Sequence, residues 1–311
     1  MAQQSVPTTE MIGSPLILYV PGLLPKPEAG LHHEQLLRCL LASVQRVDPG
    51  IADEISGSSA AFDLVSWTFD FYGVHRDLAM DLPNIDAAIR KSEPTIEDIS
   101  DAVHWKRRLL HAGYRIGDML PFLIPRLANE KLEVHIRDLR RYAQNENDIG
   151  AHIRRLLKVP LEAAAAAHRP VLLLAHSMGS VIAWDALWEM SRRENRDVPI
   201  DLWMTMGSPL GGNFLQRRLL GRDEEGDQRY PANVRRWVNI AAVGELTALD
   251  RRLRDDFGSM IDLGLVEDIV DHEIFSFYRS EGALNVHNEY GYLLHELTAR
   301  QVCDWWSAQA D

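Results

Sequence analysis

Apolar residues along this chain fall into two patterns. In the first they form short unbroken runs: Leu16-Ile17-Leu18-Tyr19-Val20, then Val171-Leu172-Leu173-Leu174-Ala175, then 200–206, where only Asp201 and Thr205 interrupt. A run of this length without alternation is what a strand buried on both faces requires. Spans 62–69, 234–240 and 271–278 read as further strands on weaker forms of the same pattern. In the second pattern apolar residues recur every three or four positions. That spacing predicts helices over about 32–47, 149–167, 181–188 and 289–308. Strands alternating with helices predict an α/β protein with a mostly parallel central sheet flanked by helices.

The rhythm breaks between 71 and 147, a long charged span that reads as helical. It is expected to be a mainly helical cap insertion within one domain covering 15–311, preceded by a loose polar tail at 1–14. Within the insertion, 96–110 carries mixed charge. The stretch 114–127 is more apolar, holding Met119, Phe122, Leu123 and Ile124 and broken by Pro121 and Pro125. So apolar a segment is expected at a pocket mouth or against the core, not in solvent. Phe122 and Leu123 are the pocket candidates.

Composition narrows the partners. The 311 residues carry 33 Lys and Arg against 45 Asp and Glu, a formal net charge of −12. That balance argues against nucleic acid and anionic membrane surfaces as main partners. Cys39 and Cys303 are too few and too far apart for a disulfide framework or a zinc site, and read as reduced thiols of a cytoplasmic protein. No basic-then-apolar leader pattern opens the chain, and no apolar run approaches the length of a membrane span. His32 and His33 are adjacent on a predicted helix and point to different sides of it, which disfavours a shared metal. No internal repeat is visible.

The run 171–175 leads straight into His176-Ser177-Met178-Gly179 and then into an apolar helix. The pattern is strand, sharp turn, helix, with Ser177 at the apex. Such a turn strains its central residue, so the positions two before and two after must be small; here they are Ala175 and Gly179. The first strand ends in Pro21-Gly22-Leu23-Leu24, and 200–206 ends in Gly207-Ser208-Pro209-Leu210. Near 240, Trp237-Val238-Asn239 precedes a loop carrying Glu245, and His287 follows the last predicted strand.

Together these residues resemble the α/β-hydrolase superfamily, in particular its lipase and carboxylesterase members. The turn matches the nucleophile elbow, with Ala175 where the usual G-x-S-x-G has glycine. The resemblance implies that Ser177 is the nucleophile, His287 the base and Glu245 the acid. Glu245 stands where the lipase-like pattern has Asp. It implies that the backbone N–H groups of Leu23 and Met178 hold an oxyanion, and that His176 is a pocket or packing residue. Serine needs such help, being a poor nucleophile at its own pKa, and a histidine oriented by a carboxylate supplies it. Nucleophile, acid and histidine occur in the chain order usual for that superfamily.

Rivals exist at each position. Ser208 is followed by Pro209, which removes the adjacent helix N–H; His272 lies within a predicted strand and His295 within a predicted helix; Asp250 lies five residues beyond Glu245. The activity expected is hydrolysis of an ester, or of an amide or thioester, of an apolar or lipid-like acyl substrate, with no metal or organic cofactor. An acyltransferase using the same residues, or a silent binding protein of the same fold, are the alternatives.

Overall fold

The protein is described by a computed structural model covering residues 13–104, 130–245 and 251–309. Its centre is a six-stranded sheet of β1 (Leu16–Val20), β2 (Phe62–Leu64), β3 (Val171–His176), β4 (Ile200–Met206), β5 (Val234–Ala242) and β6 (Asp268–Ile274). The spatial order is β2-β1-β3-β4-β5-β6 and every pairing is parallel. Parallel neighbours need crossovers, and the crossover helices cover both faces.

The unbroken apolar runs follow from that burial. Successive side chains alternate between faces, so Ile17, Tyr19, Leu172 and Leu174 join one core with Leu36, Leu40 and Val44 of the helix Ala29–Val47. Leu16, Leu18, Val20 and Leu173 join the other, with Ile153, Leu157 and Leu161 of the helix Ile149–Ala166 and Val181 of the helix Met178–Trp188. Every residue of β1 and β3 is buried.

Strand order reverses at β1, which has β2 on one side and β3 on the other. In open parallel sheets a crevice forms outside the carboxyl ends of the strands at such a point. The loops after β1 and β3, which carry Leu23 and Ser177, meet there.

Three expected elements differ. The strand expected over 62–69 stops at Leu64, and the helix Thr68–Tyr72 follows. The fully buried indole of Trp67 donates to the Pro21 carbonyl at 2.9 Å, so the chain leaves the sheet to seat that ring under the loop after β1. The strand expected over 271–278 begins earlier and ends at Ile274. The single helix expected over 289–308 is two, Glu289–Leu293 and Glu296–Ser307. His295 caps the second by accepting from the Leu297 N–H at 3.1 Å, so it does not lie in a helix interior.

Part of 71–147 is described, with helices Leu82–Ile89, Ile96–Ala102 and Glu130–Ala143. Thr95 and Asp98 form a capping box at the start of Ile96–Ala102. Phe122, Leu123 and the rest of 114–127 lie outside the described residues. Among the described residues no helix is long and apolar enough to cross a membrane.

Candidate active site

Ser177 directly follows β3 and its N–H donates to the Met206 carbonyl at 2.9 Å, continuing the ladder to β4. Its backbone then turns sharply, with φ 51° and ψ −122°. A non-glycine residue held there is strained by roughly 1–3 kcal/mol and persists only where surroundings over-determine it. Gly179 supplies part of that constraint, because a Cβ there would stand 2.2 Å from the Val20 carbonyl oxygen. The helix Met178–Trp188 is thereby seated against the end of β1.

The loop after β1 closes on the same point. A Cβ on Gly22 would lie 2.8 Å from Ser177 Cβ and 3.0 Å from His176 Nδ1. Leu24, exposed and left-handed at φ 76°, donates its N–H to Tyr72 Oη at 3.1 Å, and Tyr72 donates to Asp138 Oδ2 at 2.9 Å. That chain pins the loop from the outside. Among the described residues the Leu23 N–H has no hydrogen-bond acceptor. Met178 is the first residue of its helix, so its N–H is one of the four donors a helix leaves unpaired.

His287 Nε2 lies 2.9 Å from Ser177 Oγ, and its Nδ1 is hydrogen-bonded to Glu245 Oε1. A carboxylate can only accept, so Nδ1 carries the proton and Nε2 accepts from the serine hydroxyl. The Glu245 side chain is fully buried and its other oxygen accepts from Tyr292 Oη. Tyr292 Oη itself accepts from the Ala242 N–H at 3.0 Å, so the tyrosine proton is committed to Glu245. Burial, then the adjacent Glu245 charge, pushes the Tyr292 hydroxyl well above its ordinary pKa and keeps it a donor. Gly207 floors the arrangement at φ 55°: a Cβ there would stand 2.8 Å from Glu245 Oε1 and 3.1 Å from His287 Nδ1.

A second buried layer lies behind. His176 Nε2 donates to the His287 carbonyl at 2.9 Å. Burial, then the neighbouring His287, brings the His176 pKa down to about 3, so the ring is neutral. Its Nδ1 faces Glu289 Oε2 at 3.9 Å. Glu289 in turn accepts from Lys26 Nζ at 2.8 Å, His32 Nε2 at 3.0 Å and Tyr19 Oη at 3.3 Å. Burial alone would raise the Glu289 pKa; Lys26 and His32 outweigh it and hold the carboxyl well below the usual range.

The rival residues lie elsewhere. Ser208 Oγ is buried, shares a hydrogen bond with Ser180 Oγ at 2.8 Å and accepts from the Leu210 N–H at 3.2 Å. His272 sits in β6 opposite Ile240. Asp250 lies outside the described residues. His32 and His33 face different partners, Glu289 and the Phe62 carbonyl. Among the described residues no group of three or more His, Cys, Asp or Glu is disposed to hold a metal ion.

Sequence reasoning missed Tyr292, Gly207 and the Glu289 cluster. Gly207 carried a weak signal, a glycine at a strand end. Tyr292 and Glu289 carried none, since their roles depend on partners 47 and 270 positions away. Comparison of the chain with protein-family models, curated proteins and solved structures finds no match. The class shown is therefore the architectural one: an α/β protein with a six-stranded parallel sheet flanked by helices.

Proposed function

We propose that the protein is a serine hydrolase of α/β-hydrolase fold that cleaves an ester, or an amide or thioester, of an apolar acyl substrate. One observation carries the reading: a serine in a strained strand-to-helix turn, 2.9 Å from a histidine nitrogen whose other nitrogen is bonded to a buried carboxylate. In this mechanism His287 Nε2 takes the proton of Ser177 as Oγ attacks the acyl carbonyl carbon. The Glu245 carboxylate stabilises the imidazolium that forms. The carbonyl oxygen gains charge and is held by the Leu23 and Met178 N–H groups, a contribution of about 3 kcal/mol per donor in comparable sites. His287 then protonates the leaving alcohol, amine or thiol. Water, deprotonated by the same ring, releases the acyl group and restores Ser177.

In this reading 71–147 is the cap. Two contacts support it. The carbonyl of Ala102, at the end of the helix Ile96–Ala102, lies where a Cβ on Gly244 would approach to 2.4 Å, next to Glu245. Tyr72 and Asp138 hold Leu24, next to Leu23. The insertion thus reaches the acid side and the oxyanion side together.

The test is labelling with a fluorophosphonate, followed by peptide mapping, beside a screen of p-nitrophenyl esters of increasing acyl length. One adduct is expected, on Ser177, absent in Ser177→Ala. Labelling that persists in that variant, or that maps to Ser208, overturns the assignment.

A further inference from the structure

A groove of about 560 Å³ opens between the end of the helix Glu130–Ala143 and the segment 214–222. Four of its seven lining residues are arginines: Arg140 from the helix, and Arg217, Arg218 and Arg222 from the segment after β4. Four like charges facing one volume repel one another and are ordinarily interleaved with carboxylates. Here they are not. Among the described residues Arg140, Arg217 and Arg218 form no ion pair, and Arg222 pairs only with its chain neighbour Asp223 at 3.1 Å. The exception is the more notable because acidic residues outnumber basic ones in the chain, 45 to 33.

The groove is also ordered for recognition. The Arg218 guanidinium lies 3.6 Å from the centre of the Phe214 ring, and its Nη1 donates to the Phe214 carbonyl at 2.5 Å. Stacking and one bond fix its plane and leave its other N–H donors for a ligand. Burial, and then the charges of Arg140, Arg222 and Arg217, lower the Arg218 pKa. An anion in the groove would remove that repulsion.

We propose that this groove is a binding site for a phosphomonoester group. A carboxylate presents two oxygens and one charge, and a single guanidinium satisfies it. A phosphomonoester presents three oxygens and nearly two charges, which suits several guanidiniums converging from two segments. The group could be carried by a soluble metabolite or by a phospholipid headgroup, and the chemistry of recognition is the same for both.

The experiment uses the full chain and the double variant Arg140→Gln/Arg217→Gln. Among the described residues neither side chain makes a hydrogen bond or ion pair, so the changes break no such contact and remove two repelling charges. The ligand-free variant is therefore expected to melt at or above the wild-type temperature. Binding of inorganic phosphate is measured calorimetrically at constant ionic strength, with sulfate as the control anion. Sedimentation is measured with phosphatidylcholine vesicles, with and without phosphatidic acid. Loss of one charged contact weakens binding about tenfold, so the variant is expected to bind at least that much more weakly. Phosphate binding without vesicle binding supports a soluble ligand; binding confined to phosphatidic acid vesicles supports a headgroup. Failure to bind either probe overturns the proposal, as does equal binding by variant and wild type, or a preference for sulfate. A variant that melts well below wild type would assign the arginines to structure and also overturn it.

Discussion

Replacing Glu245 by Gln tests the relay most sharply, because Tyr292 dictates how the new amide must sit. The Tyr292 hydroxyl accepts from the Ala242 N–H and, among the described residues, donates to Glu245 Oε2 alone. In Glu245→Gln the amide oxygen therefore takes the tyrosine side, and the NH₂ faces His287 Nδ1. An NH₂ can only donate there. Nδ1 must lose its proton, which moves to Nε2, and Nε2–H cannot accept the proton of Ser177 from 2.9 Å away. The wrong tautomer is combined with the loss of the imidazolium's counter-charge. In the serine-protease triad the equivalent Asp→Asn change costs about 10⁴ in turnover, or about 5.5 kcal/mol, and a loss of that order is expected here.

The same reasoning predicts a partial rescue. In Glu245→Gln/Tyr292→Phe no hydroxyl holds the amide oxygen, so the amide can turn and offer its oxygen to Nδ1–H. One hydrogen bond of about 1 kcal/mol sets the bias that is removed, so the double variant should recover about fivefold over Glu245→Gln. The assay is the pseudo-first-order rate of fluorophosphonate labelling of Ser177, which needs no knowledge of the substrate. Thermal melts accompany it, since Tyr292→Phe also leaves the buried Ala242 N–H unpaired, at about 1–3 kcal/mol. A double variant slower than Glu245→Gln would refute the tautomer argument. Near-wild-type labelling in Glu245→Gln, with a loss in Asp250→Asn, would move the acid to Asp250.

Gly207→Ala should slow labelling more than tenfold and cost about 1–3 kcal/mol of stability, since φ 55° disfavours a side chain and the new Cβ meets Glu245 Oε1 at 2.8 Å; wild-type labelling would show that the floor is not tight. Stability should also fall on acidification through His176, whose folded pKa of about 3 lies below its ordinary 6.5. In that window the unfolded chain binds a proton that the folded chain refuses, so this contribution is complete above 6.5 and is lost as the pH falls toward 3. Urea midpoints measured across the range should fall less steeply for His176→Gln than for wild type; parallel curves would contradict this.

How far the sequence could be read depended on whether a feature was local. β1, β3 and β4 were legible because burial on both faces writes an unbroken apolar run. Past Leu64 the same cue misled, since the hydrophobicity of Trp67 serves a ring packed under Pro21 and not a strand. The break at His295 was invisible, because apolar spacing runs on through it and only the cap marks the new helix. Ser177, Glu245 and His287 each follow a predicted strand, and it was the resemblance to α/β-hydrolases that singled them out. The structure brings Ser177 and Glu245 within hydrogen-bond reach of the two ring nitrogens of His287. Tyr292 sits in a helix with no pattern to separate it from Tyr290, and only its partners give it a role.

Glu289 carries this argument furthest. Its partners come from β1 (Tyr19), the loop after β1 (Lys26), the helix Ala29–Val47 (His32) and the residue before Ser177 (His176), and it lies two residues past His287. An ion pair this deep adds little net stability over an apolar packing of the same shape, because desolvating both charges offsets their attraction. Its consequence is geometric. Lys26, His32 and Tyr19, from three segments, each direct a donor at this one carboxylate, the last two from buried positions. A shift of the His287 loop would move Glu289 with it and strand those donors, at about 3–5 kcal/mol for a broken buried pair. His176 then holds the His287 carbonyl from the elbow side. The histidine is thus fixed through its backbone by one buried network and through its ring by another, Glu245 and Tyr292. The two networks meet at the histidine itself, because the His176 ring also packs on the His287 ring, with centroids 4.8 Å apart.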